Sequence, residues 1–129
     1  MSDIDKPRSE TPAWPTEIRL APDKRQLSVA FDNGTCHHYT AEFLRVSSPS
    51  AEVQGHTPAQ RQTVPGKASV AIRAIEPVGN YALRIHFDDG HHTGIFSWSY
   101  LDRIGREHDR LWADYLSELA AKGLSRERG

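Results

Sequence analysis

The chain has 129 residues, with 16 Lys and Arg against 17 Asp and Glu and a formal net charge of -1. That length fits a single domain with a core of its own, and the near-neutral balance excludes the basic field that nucleic acid or an anionic membrane would require. The one cysteine, Cys36, excludes an internal disulfide framework, and no apolar run approaches the ~20 residues of a membrane span.

Residues 1–13 are polar and charged with no apolar periodicity, and read as a disordered lead. They contain no apolar signal-peptide core, so a cytoplasmic protein is the default expectation. Order is expected from Trp14-Pro15. Ile18-Arg19-Leu20 and a turn at Pro22-Asp23-Lys24 lead into a strand in which Leu27, Val29 and Phe31 share one face. Asn33-Gly34 signals a two-residue hairpin loop of type I′. That loop would set Phe31 opposite Cys36 and Val29 opposite His38, placing Cys36 and His38 on the apolar face and His37 on the other. A short helix with Thr40 as its cap would carry Phe43 and Leu44.

Residues 47–69 change character. The segment is polar, with Gly55, Pro58 and Pro65-Gly66 as punctuators and few apolar residues. A connection of this length inside a small domain is usually functional or disordered. Either a solvated connector or a recognition loop would account for it. In the second case Ser50, Glu52, Gln54, Gly55 and His56 are the candidate interaction residues.

The pattern of the first unit then returns. Tyr81, Leu83, Ile85 and Phe87 alternate with Ala82, Arg84 and His86, as in a half-buried strand. Asp89-Gly90 makes the second turn, and Phe-Asp-(Asn/Asp)-Gly followed by histidines is common to both halves. Ser97 would cap a helix carrying Trp98, Leu101 and Ile104, which Gly105 ends or kinks. Leu111, Trp112, Tyr115, Leu116 and Leu119 form a second apolar stripe at helical spacing, and Gly123 fits a helix C-terminus. Residues 124–129 should fray. The expected architecture is α+β: two β-β-β-α units in one domain over 14–123, with mainly antiparallel small sheets packed by a short helix and a longer C-terminal helix.

Seven histidines are the main candidates for chemistry. A two-residue loop at Asp89-Gly90 pairs Asp88 with His91, Phe87 with His92 and His86 with Thr93. His86, His91 and Asp88 would then share the face opposite Phe87, with His92 on the Phe87 side. Two imidazoles and a carboxylate could hold a divalent metal, and Cys36 with His38 could form half of a zinc site. The metal candidates are therefore His86, His91, His92 and Cys36, with zinc or iron as the possible ion. An exposed polar sheet face, with Cys36 as a small core side chain, accounts for the same residues without metal. No serine sits in a nucleophile-elbow context, and no glycine-rich phosphate loop is present.

Several stretches together resemble a known family. They are Trp14-Pro15-Thr16-Glu17-Ile18, Glu42-Phe43-Leu44-Arg45-Val46, Ser48-Pro49-Ser50-Ala51-Glu52-Val53-Gln54-Gly55-His56, Gly79-Asn80-Tyr81-Ala82, and the run from Phe87-Asp88-Asp89-Gly90-His91 to Trp98-Ser99-Tyr100-Leu101. They look like the DUF971 family, which is similar to the N-terminal domain of gamma-butyrobetaine hydroxylase. In those hydroxylases the small domain precedes a separate iron- and 2-oxoglutarate-dependent catalytic domain, so the resemblance implies a non-catalytic chain here. It also implies a structural zinc held by three cysteines and one histidine. The cysteines follow a Leu-Arg motif resembling Leu44-Arg45, and the histidine resembles His91 or His92. This sequence has Val46-Ser47-Ser48-Pro49-Ser50 in that region and no cysteine. A similar domain is fused to Mrp/ApbC-type iron–sulfur carriers, which implies an accessory role with such a carrier or a metalloenzyme as protein partner. A small metal-binding module built on the histidine-rich hairpin is the alternative.

Overall fold

The computed structural model describes residues 14–49, 63–92 and 94–127. Six strands and three helices are present among them: β1 (Pro15–Leu20), β2 (Gln26–Phe31), β3 (Cys36–Thr40), α1 (Ala41–Val46), β4 (Ile72–Val78), β5 (Ala82–Phe87), β6 (Ile95–Ser97), α2 (Trp98–Arg106) and α3 (His108–Ala121). The strands form two antiparallel three-stranded sheets, ordered β1-β2-β3 and β4-β5-β6. The fold is α+β, as the alternating strands and helical stripes lead one to expect. One apolar core unites the two sheets, with Leu27, Val29 and Phe31 from the first and Leu83, Ile85, Phe87 and Phe96 from the second in the same buried cluster.

The repeated Phe-Asp-(Asn/Asp)-Gly segment does the same four jobs in both hairpins. The phenylalanines, Phe31 and Phe87, are buried in the core. The aspartates tie back the start of the preceding strand. Asp32 N–H donates to the Trp14 carbonyl at 2.8 Å while its Oδ1 accepts from Trp14 N–H. Asp88 makes the matching pair with Ala71, at 2.9 and 3.1 Å. Asn33 Oδ1 and Asp89 Oδ1 accept from the N–H two residues on, Thr35 and His91. Gly34 and Gly90 take φ of 89° and 93° and donate back to the Phe31 and Phe87 carbonyls.

The loops therefore contain three residues, not two. Asn33 does not have the positive φ that a type I′ turn demands, and Phe31 N–H bonds the Thr35 carbonyl. Cys36 pairs with Ala30, His37 with Val29 and His38 with Ser28. This corrects the expected Phe31–Cys36 and Val29–His38 pairs. A one-residue slip exchanges the faces of a strand: His37 now turns inward with Val29, whereas Cys36 and His38 are exposed. In the second hairpin Phe87 N–H bonds the His91 carbonyl and Ile85 N–H bonds that of Gly94, so the expected Asp88–His91 and Phe87–His92 pairs are not formed. His91 is buried beside Phe87 and His92 is exposed, the reverse of the expected arrangement. Thr93 lies outside the described residues.

The helix caps agree with the sequence. Thr40 Oγ1 accepts from Phe43 N–H at 3.0 Å, and Ser97 Oγ from Tyr100 N–H at 3.1 Å. Gly105 does not end α2, which runs to Arg106; the break falls at Glu107 instead. At the end of α3, Leu124 N–H bonds the Leu119 carbonyl and Gly123 N–H that of Ala120, a Schellman arrangement.

Each unit's helix is anchored on the other unit. From α2, the Leu101 carbonyl accepts from Tyr39 OH at 2.7 Å and Asp102 Oδ1 lies 3.1 Å from His37 Nε2. Burial, with the nearby Asp102 carboxylate, pushes the Tyr39 hydroxyl well above its usual range. In return, Arg45 of α1 and the following Ser48 reach Asp89 and His91. Both anchors need a glycine opposite them. A Cβ on Gly105 would sit 2.6 Å from His37 Cδ2, and one on Gly94 would overlap Ser48 Oγ.

Gly105→Ala should therefore expel the His37 ring and cost about 1–3 kcal/mol, as overpacking does. In urea melts the cost should shrink when His37→Ala is made in the same chain. An equal cost in both backgrounds would mean that the ring is not what Gly105 accommodates.

Candidate functional site at the roots of the 50–62 segment

The chain leaves the described structure after Pro49 and returns at Thr63. Both ends of that excursion are fixed by long-range polar contacts. On the outgoing side, the Ser47 carbonyl accepts from Tyr100 OH at 2.5 Å. Ser48 is fully buried, with its Oγ 3.0 Å from His91 Nε2. On the returning side, Thr63 Oγ1 donates to Glu118 and accepts from Lys122, and the Val64 carbonyl accepts from Tyr115 OH at 2.6 Å. Gly66 and Ala68 N–H donate to the Ser125 and Arg126 carbonyls. Arg126 is itself held by a two-pronged bond to buried Glu42, both distances 2.8 Å. Such fork-to-carboxylate pairs are among the stronger polar contacts.

The two roots converge on one carboxylate. Asp89 Oδ2 takes Arg45 Nε at 2.8 Å from the outgoing side and Lys67 Nζ at 2.6 Å from the returning side. Burial acts to raise the Asp89 carboxyl. The bonds from Lys67, from His91 N–H and from Arg45 outweigh it and hold the group well below the usual carboxylate range. Burial, with Glu42 nearby, pushes the Tyr115 hydroxyl up to about 12, so it stays a donor to Val64. Arg45 Nη1 is buried without a hydrogen-bond partner among the described residues. Beside this cluster lies a cleft of about 430 Å3 lined by Gly66, Lys67, Ser69, Val70, Asp88 and Asp89.

The residues singled out from sequence fall in separate places. Ser50, Glu52, Gln54, Gly55 and His56 lie outside the described residues. His86 and His92 stack on the exposed face of the second sheet. His91 is buried at the loop root, and Cys36 is exposed on the other sheet. These four do not converge, and the described residues contain no group of three or more His, Cys, Asp or Glu able to hold a metal ion. The sequence offers the 47–69 loop and the Asp89-Gly90 hairpin end as partner-facing surface, but it does not join Arg45, Lys67 and Asp89 in one cluster. One local signal was available: Asp89 occupies the position that neutral Asn33 fills in the first hairpin.

The zinc that the hydroxylase resemblance implies does not fit these residues. The segment after Leu44-Arg45 packs against His91, one of the two histidines that the resemblance offers, but it carries serine hydroxyls instead of thiolates. The His91 nitrogen facing it is already engaged by Ser48, and structural zinc takes thiolate and imidazole donors.

These features define a small α+β module of two β-β-β-α units joined through the 50–62 segment. The family profile described as gamma-butyrobetaine hydroxylase-like, N-terminal, matches residues 18–102, and the chain belongs to that family. Two proteins solved by NMR in solution are similar to it, each with a TM-score of 0.78. One is 44% identical, covering 92% of this chain and 93% of its own. The other is 46% identical, covering 95% and 90%. A crystal structure of a DUF971-family protein of unknown function from Acidithiobacillus ferrooxidans is also similar. It is 41% identical, with a TM-score of 0.59, and covers 70% of this chain and 91% of its own. Among curated proteins none matches the chain. The family is not a catalytic domain. No helix among the described residues is long and apolar enough to cross a membrane.

Asp89→Asn should leave Arg45 and Lys67 without their counter-charge and destabilise the fold by about 1–2 kcal/mol, the site being partly solvated. The folded-state carboxyl lies below its free value of ~3.9. Its stabilisation is thus complete above that pH and lost as pH falls below it. Urea melts of wild type and Asp89→Asn should converge as the pH drops through that acid window. Curves that stay parallel would show that Asp89 contributes no acid sensitivity.

Proposed function

We propose that the chain is a non-catalytic accessory domain that presents residues 50–56 to a protein partner. The observation that carries this reading is the pinning of both roots of the 50–62 segment, which meet on the single carboxylate of Asp89. A plain connector does not need a buried Ser48–His91 pair at one end and five further polar contacts at the other. Fixed roots restrict where the segment can go, which lowers the ordering entropy that a partner must overcome.

The partner class is suggested by the resemblance. A non-catalytic domain related to those fused with iron–sulfur carriers suits a role in iron–sulfur or metalloenzyme maturation, with an Mrp/ApbC-type carrier as partner. This part of the reading rests on analogy with relatives and not on the chemistry of the site.

The test is direct binding between the purified chain and a purified Mrp/ApbC-type carrier from the same cell. Saturable binding should weaken at least tenfold when Glu52, Gln54 and His56 are together changed to alanine. Unchanged affinity would show that the segment is only a connector. Absence of any binding would remove the carrier as partner.

A further inference from the structure

The exposed face of β5 carries two imidazoles that the loop-root site does not use. His86 and His92 lie with ring centroids 6.0 Å apart and planes 5° from parallel. His86 Nε2 is 2.9 Å from Glu76 Oε1, and His92 Nδ1 is 3.0 Å from the Gly90 carbonyl oxygen. A carbonyl oxygen can only accept, so His92 Nδ1 carries a proton. A carboxylate oxygen likewise accepts, so His86 Nε2, at 2.9 Å from Glu76 Oε1, carries a proton as well.

In the neutral rings this leaves lone pairs on His86 Nδ1 and His92 Nε2, and neither atom has a hydrogen-bond partner among the described residues. Metal-ligating histidines almost always donate their other ring N–H to a carboxylate or a backbone carbonyl, which sets the tautomer and raises ligand basicity. Both kinds of outer partner are already in place here, one on each ring.

We propose that His86 and His92 form a two-imidazole surface site for a borderline divalent transition metal, through His86 Nδ1 and His92 Nε2, with water completing the coordination. Imidazole donors favour Cu2+, Ni2+ and Zn2+ over Mg2+ and Ca2+, with Cu2+ bound most tightly. Parallel rings direct their in-plane lone pairs along parallel lines, so the exposed His92 ring must pivot about its Nδ1–Gly90 bond to close on the ion. Arg84 Nη1, 3.8 Å from Glu76 Oε1, competes for that carboxylate and keeps the affinity modest. The site does not involve His91, which is buried against Ser48, and it is independent of partner binding by the 50–56 segment.

The experiment is calorimetric titration of the untagged chain with Cu2+ and with Zn2+, alongside 15N spectra of the imidazoles. One equivalent should bind, with Cu2+ tighter than Zn2+, and Zn2+ should move the His86 Nδ1 and His92 Nε2 resonances. His86→Ala and His92→Ala should each weaken binding at least tenfold, and Glu76→Ala by about tenfold, the low end for an outer-shell partner. Cys36→Ser and His108→Ala should change nothing. Circular dichroism checks that these surface variants remain folded. Full-strength binding in the His86→Ala/His92→Ala double variant, or no saturable Cu2+ binding by the wild type, would overturn the proposal. Undiminished affinity in Glu76→Ala would also overturn it, because the tautomer argument would then fail.

Discussion

The Asp89 carboxylate, shared between Arg45 and Lys67, is the contact on which the loop-root arrangement depends. It joins three stretches that are remote in sequence: the end of α1, the chain returning from the 50–62 segment, and the turn of the second hairpin. A partly buried carboxylate is costly to ionise alone, and two cations within hydrogen-bond reach reverse that cost. The same carboxyl group also accepts from His91 N–H, so its Oδ1 shapes the hairpin loop while Oδ2 gathers the loop roots. Asn33 performs only the first of these tasks. One exchange of amide for carboxylate at matching positions thus separates a purely structural turn from one that organises a site.

The two halves are coupled by exchange of helices. α2 follows the second sheet but is anchored on β3 of the first, while α1 follows the first sheet and reaches the hairpin of the second. Each anchor combines a polar bond with a close approach to glycine, His37 against Gly105 and Ser48 against Gly94. Neither β-β-β unit could cover its own apolar face: Phe31 and Phe87 belong to one continuous cluster. The reciprocal anchors and the shared core make the same demand, that both units be present together.

Local features of this fold were readable from sequence and long-range ones were not. Period-two alternation located the strands, and Thr40 and Ser97 marked the helix starts because a cap bond spans only three residues. Register failed for a physical reason. Asx-Gly supports both a two-residue and a three-residue loop, and the choice rests on the φ of Asn33, which the residue type leaves open. That slip placed Cys36 and His38 on the wrong face, and the same slip at Asp89-Gly90 reversed His91 and His92. The aspartates Asp32 and Asp88 carried the missing information, since each must open the loop in order to bond the strand behind it. The Arg45–Asp89 bond, by contrast, joins residues 44 positions apart and leaves no periodic trace.

The corner beside His91 shows how one fold can exchange its means of closure. The resemblance to the hydroxylases implies a zinc ion tying the segment after Leu44-Arg45 to His91 or His92. Here a hydroxyl–imidazole bond and the ion pairs of Asp89 perform that task. The consequences differ in kind. A metal-closed corner couples folding to metal supply. A corner closed by a low-lying carboxylate and two cations couples it to acid, and to salt in so far as the pairs are solvated. Since both roots of the 50–62 segment pass through this corner, the conditions that loosen it also loosen both roots.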